Sequence, residues 1–133
     1  MKKTPISVGL FFCSAFRSTS ADAHVSLVKM FSSLTLPRFP SAGVKMCFFS
    51  LLSDGQGEGV LKLEILRLFA ARSPKWLWRR TTWVRFPENP LQPVPMMVQS
   101  TDKLRFPAAG EYLVQLSWDG DPITERVLYV HGK

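Results

Sequence analysis

Near the end of the chain, Tyr112, Val114, Leu116 and Trp118 alternate with more polar neighbours such as Gln115 and Ser117, and Asp119-Gly120 follows directly. A period of two is the pattern of a strand with one buried face, and Asp-Gly between two such runs is the turn of a tight hairpin. The pattern predicts a hairpin that turns at Asp119-Gly120 into Ile123–Val130, with Tyr112, Val114, Leu116 and Trp118 facing inward. Elsewhere, too, short alternating runs are separated by turn chemistry, and no stretch carries a convincing 3.6-residue period. Helical folds are thereby excluded.

Six further runs read as strands. Ile6, Val8, Leu10 and Phe12 form one apolar face, and a polar connection follows over Ser14–Asp22. A run from His24 to Leu36 ends where Pro37 and Pro40 remove ladder donors. Val44–Leu52 is apolar on both faces, as a central strand would be. Leu61, Leu63 and Ile65 alternate with Lys62 and Glu64, and the phase slips at Ile65-Leu66, where a bulge is expected. Pro74 breaks the chain before Trp76–Phe86. Pro87, Pro90, Pro93 and Pro95 make an extended crossover, after which Val94, Met96 and Val98 alternate again. Arg-Phe-Pro occurs at 38–40, 85–87 and 105–107, each read as a strand end with Phe at the core rim. With 133 residues, the chain is expected to be one domain, 1–133. The fold class is all-β: an antiparallel β-sandwich of about eight strands.

The opening MKKTPISVGLFF has two readings. Lys2, Lys3, an apolar stretch and Ala21-Asp22-Ala23 have the outline of an export signal. The alternation from Ile6 is that of a strand. No apolar run approaches the ~18 residues of a membrane helix, so no membrane partner is expected. Cys13 and Cys47 are the only cysteines and lie in apolar runs, where a free thiol acts as a small buried hydrophobe.

Charge is concentrated in one place. The chain carries +7, and six of its 17 basic residues, with no acid, lie between Arg67 and Arg85. The same segment holds three of the four tryptophans. Arg67, Arg72, Lys75, Trp76, Trp78, Arg79, Arg80, Trp83 and Arg85 are therefore the candidate interaction surface. Basic residues interleaved with aromatics pair with phosphates and stack on bases, which keeps nucleic acid open as a partner. The competing reading is a solvated hairpin whose long side chains lie beside core tryptophans.

Motifs for chemistry are lacking. Gly55, Gly57 and Gly59 lack the spacing and the following helix of a dinucleotide fingerprint, and they read as a hairpin turn. Asp54, Glu58, Asp119 and Asp121 match no calcium loop. Neither His24 nor His131 sits in a nucleophile or zinc motif. No enzyme, metal or cofactor is expected.

The residues so far resemble a bacterial family of small proteins, a domain of unknown function. LFFCSAF (10–16), HVSLVKMFSSL (24–34) and RFP (38–40) match its opening. LLSDGQGEGVLKLEILRL (51–68) matches its glycine-containing hairpin, and FPAAGEYLVQLSWDGDPITERVLYV (106–130) its close. The resemblance implies an immunoglobulin-like sandwich that keeps its N-terminal strand, and no activity. WLWRRTTW falls outside the family pattern. The resulting expectation is a cytoplasmic, non-enzymatic binding module for a protein partner or a second copy of itself. The alternatives are a nucleic-acid binder using segment 67–85, and an exported protein if residues 1–23 are a signal.

Overall fold

The apolar alternations resolve into nine strands and two sheets in a computed structural model, which describes residues 3–19, 24–69, 72–89 and 92–133. The four-stranded sheet contains β1 (Ile6–Thr19), β2 (His24–Phe31), β4 (Cys47–Ser53) and β7 (Val94–Gln99), in the order β2-β1-β4-β7. The five-stranded sheet contains β3 (Ser33–Leu36), β5 (Glu58–Phe69), β6 (Arg72–Arg85), β8 (Gly110–Trp118) and β9 (Asp121–Gly132), in the order β3-β9-β8-β5-β6. One hydrophobic cluster lies between them, drawing Phe12, Phe48 and Val98 from one sheet and Leu63, Ile65, Leu116 and Leu128 from the other.

The last hairpin forms as its pattern predicts. Tyr112, Val114, Leu116 and Trp118 are buried, and Asp119 and Gly120 both have positive φ, as a two-residue hairpin turn requires. The Tyr112 hydroxyl donates to the Ala108 carbonyl at 2.7 Å, tying the start of β8 to the preceding loop. Phe86 and Phe106 of the Arg-Phe-Pro triplets are buried, and Phe39 packs against the core.

Several expectations are corrected. The described residues form nine strands, and one pair among them is parallel: β3 runs alongside β9 in the register Ser33↔Tyr129 to Leu36↔Gly132. The run from His24 to Leu36 breaks at Ser32, and its two halves join different sheets. Strand β1 continues through Ser14 to Thr19, where a polar connection was expected. Ile6 and Val8 are 55% and 61% exposed, while Leu10 and Phe12 are buried. The cause is a bulge between Ser7 and Leu10, where Gly9 takes φ 134° and its N–H donates to Ser7 Oγ. One extra residue reverses the face of everything before it.

The glycine segment after Asp54 is not a hairpin turn, because β4 and β5 lie in different sheets. Gly55 and Gly59 permit a close approach at this crossover. A Cβ on Gly55 would lie 2.6 Å from the Phe86 ring, and one on Gly59 would lie 2.7 Å from Trp118 and Asp119. Strand β6 runs through Pro74, which an edge strand tolerates. The Ala21-Asp22-Ala23 site and part of the proline-rich crossover (Pro90, Leu91) lie outside the described residues. No described helix is long and apolar enough to cross a membrane.

Candidate interaction surface

The basic, tryptophan-rich segment becomes the end of β5 and all of β6, which is an edge strand. Its register with β5 decides which side chains are available. Trp78 lies opposite Ile65 and Trp76 opposite Leu66, so Leu77 is an extra, unpaired residue. The bulge thus falls at the expected slip, with the inserted residue on β6. It separates the faces of two tryptophans that simple alternation would place together. Trp78 turns inward, 7% exposed, and stacks on Phe48 of the other sheet at 5.8 Å. Trp76 turns outward and is 58% exposed, and Trp83, opposite Val60, is 61% exposed.

Beyond the bulge the strand is regular to Arg85. Arg80, Thr82 and Val84 pair with inward residues of β5, whereas Arg79, Thr81, Trp83 and Arg85 share the outer face. Arg79 and Arg80 therefore point to opposite faces, as neighbours in a strand must. Arg79 donates through Nε and Nη2 to Glu64 Oε2 at 3.2 and 3.0 Å, and its Cζ lies 4.9 Å from the Trp76 ring. Lys62 holds the other Glu64 oxygen at 3.1 Å. Burial pushes the Glu64 carboxyl pKa up, but the bonds and charges of Lys62 and Arg79 together outweigh it and hold the value below the ordinary range.

Arg80 acts elsewhere. Its Nη1 donates to the Gln99 carbonyl at 3.3 Å, joining the edge of one sheet to the edge strand β7 of the other. Arg67 and Lys75 are register partners at the far end of the β5–β6 pair. The Arg67 guanidinium lies 4.7 Å from the Phe69 ring centroid. Arg72 enters the ladder opposite Phe69, and its side chain lies outside the described ones. The structure thus gathers Trp76, Arg79, Trp83 and Arg85 on one face, sends Trp78 into the core and places Arg80 on the rim.

Fold also changes the electrostatics. The segment has no acid in sequence, but β5 supplies two. Glu64 neutralises Arg79, and Trp83 Nε1 donates to Glu58 Oε2 at 3.4 Å. Each exposed indole therefore has a carboxylate close by, which opposes a phosphate backbone. Along the chain Glu64 is placed to pair with Lys62 or Arg67; the structure pairs it with Lys62 and Arg79, and the neighbouring strand brings Trp83 to Glu58, a partner that sequence spacing does not show.

Between β6 and β7 the two sheets leave a cleft of about 140 Å³. Leu61, Thr82 and Val84 line one side, and Val94, Met96 and Val98 the other. Cys13 and Cys47 are register partners on β1 and β4 and are buried and free. Among the described residues, no three His, Cys, Asp or Glu side chains gather as metal ligands would.

A family model described as "Family of unknown function (DUF6941)" matches residues 9–131. No curated protein matches the chain. Among solved structures, the chain is similar to part of a β-glucosidase from Listeria innocua in complex with gluconolactone. That match has a TM-score of 0.50 and 12% identity, and covers 96% of this chain and 16% of that one. A β-glucosidase from Bifidobacterium adolescentis matches at TM-score 0.48 and 8% identity, over 97% of this chain and 17% of that one. One from Kluyveromyces marxianus matches at TM-score 0.42 and 15% identity, over 76% and 15%. The chain spans only about a sixth of these enzymes, and the first likeness is one of fold.

Proposed function

The chain belongs to the family of unknown function DUF6941, and from that premise we propose that it is a non-enzymatic, immunoglobulin-like binding module of the bacterial cytoplasm that docks a protein partner beside β6. One observation carries the reading: Trp76 and Trp83 stand exposed on the same outer face of one edge strand, with Arg79 between them. Trp, Tyr and Arg are the residues that dominate binding energy at protein interfaces. An indole left in water on a sheet face has no role in the core, and covering it with a partner gains the burial it lacks.

The finer parts of the proposal have their own support. The Tyr112–Ala108 bond matches the tyrosine corner of immunoglobulin-like sandwiches. The unbonded pair Cys13 and Cys47 fits a reducing compartment.

The test is affinity capture from lysate of the native cell with nuclease present, comparing the natural protein with a Trp76→Ala/Trp83→Ala variant. The expected result is a protein that survives nuclease, is lost with the variant, and binds the purified chain directly with little dependence on salt. Capture that nuclease abolishes, or that the variant leaves unchanged, overturns the reading.

A further inference from the structure

We infer that the seam between β6 and β7 accepts an extended, acidic segment of a partner protein, which adds as a strand to the open edge of β6 and lodges one apolar side chain in the cleft. This rests on the reading of the chain as a protein-binding module and names the chemistry of the partner.

Backbone comes first. Strand β6 pairs with β5 on one side only, so its other edge presents N–H and C=O groups that an extended chain satisfies. Strand β7 is also an edge, but Pro95 lacks a donor there. On β6, Pro74 and the Leu77 bulge interrupt the first half and leave Trp78–Arg85 as the regular, pairable stretch.

The cleft supplies specificity. It opens beside Thr82 and Val84, between the Arg80–Gln99 hydrogen bond at one end and Val94 at the other. Its volume of about 140 Å³ is close to the ~150 Å³ of an apolar cavity that holds benzene, so one leucine- or phenylalanine-sized side chain fits. A nucleic acid has no branched aliphatic side chain to fill it, the thymine methyl being its largest alkyl substituent.

Charge selects the occupant. Arg79, Arg80 and Arg85 lie in the pairable stretch, which contains no acid. Glu64 already occupies Arg79. Among the described residues Arg80 makes one hydrogen bond, through Nη1, and a guanidinium has five N–H donors to offer. A second copy pairing antiparallel through this stretch, centred on Thr82, would set Arg79 opposite Arg85, and like charges across a strand pair destabilise it. An inward-facing arginine at an edge thus repels generic strand addition while favouring a carboxylate-bearing strand.

The experiment titrates the full chain against a labelled peptide with a central leucine, alternating valine and threonine, and glutamates at both ends. A version with lysines in place of the glutamates and an oligothymidylate serve as the other probes. The glutamate peptide should bind about tenfold or more tighter than the lysine peptide, and Arg80→Glu/Arg85→Glu should remove that preference. Binding should slow amide exchange within 78–85, and Thr82→Phe, which fills the cleft, should weaken it about tenfold while leaving the urea midpoint unchanged. Equal or absent binding of the two peptides overturns the proposal, as does tighter binding of oligothymidylate or a concentration-dependent dimer in sedimentation. If the peptide fails while the Trp76→Ala/Trp83→Ala variant still loses its captured protein, the seam proposal falls and the binding-module reading stands.

Discussion

Arg80 and Arg126 perform the same task at opposite rims of the sandwich. Each sits where the five-stranded sheet ends and donates across to a carbonyl of the four-stranded sheet, Arg80 to Gln99 at 3.3 Å and Arg126 to Leu10 at 3.1 Å. Arg126 reaches this position because β3 pairs only with Tyr129–Gly132, leaving β9 outermost along the rest of its length. The Arg126 guanidinium also lies 5.8 Å from the Phe12 ring centroid. Two cations thus close the two open sides of an apolar core, each with its charged head near solvent and its stem along the rim.

The bulge at Leu77 makes opposite demands on two nearby tryptophans. Trp78→Ala should cost about 3–5 kcal/mol, because it opens a hole against Phe48, whereas Trp76→Ala should change stability by no more than about 0.5 kcal/mol. Urea midpoints measure both. Equal losses would place the two indoles on one face.

Leu116 is fully buried at the centre of β8. Leu116→Ala should cost about 2–5 kcal/mol in urea unfolding. A shift below about 0.5 kcal/mol would mean that this face of the last hairpin meets solvent.

Glu64 gives the fold a defined acid response. Its folded-state pKa lies below the ordinary 4.5, so the stability it contributes is complete above that value and lost as pH falls through the lower, folded value. Glu64→Gln should therefore destabilise by about 1 kcal/mol at neutral pH and flatten the decline in stability below pH 4.5. Parallel pH profiles for the two proteins would contradict this.

Cys13 and Cys47 should react slowly. Burial pushes both thiols above their ordinary value, and the neighbouring Cys47 adds to the rise at Cys13. Little thiolate forms at neutral pH, and the sulfurs are shielded. Native protein should resist a disulfide reagent that modifies both thiols rapidly in denaturant. Fast modification of the native protein would show that β1 and β4 open readily.

Oligonucleotides should bind weakly, with dissociation constants of order 10⁻⁴–10⁻⁶ M at physiological salt, because Glu58 and Glu64 flank the exposed indoles. Submicromolar anisotropy titrations would make nucleic acid the partner instead.

Much of this fold is legible in the chain because a buried strand face writes itself as alternation. Leu61, Leu63 and Ile65 could be placed inward without coordinates, as could the four residues of β8. What alternation does not carry is phase across a bulge. Ile6 and Val8 look like Leu10 and Phe12 until Gly9 turns the strand over. The interaction surface shows the same limit. The sequence marks Trp76, Trp78 and Trp83 alike, and the one-residue insertion at Leu77 decides which of them is available. Charge was misleading for a related reason: a run without acids along the chain still meets Glu58 and Glu64 once a second strand lies beside it. Sheet membership was also hidden, since the glycines after Asp54 suit a turn equally well whether it returns to the same sheet or crosses to the other.

The parallel pairing of β3 with β9 also bears on when the molecule can form. Ser33 leaves the ribosome long before its ladder partner Tyr129 is made. Strands β1, β2 and β4 can find one another while synthesis continues, but β3 must wait for the closing hairpin. Such a distant pairing places a large loop-closure entropy ahead of the contact that rewards it, which slows folding. The nascent chain therefore carries an unpaired β3 until β9 has been made, and the five-stranded sheet is completed only after that point.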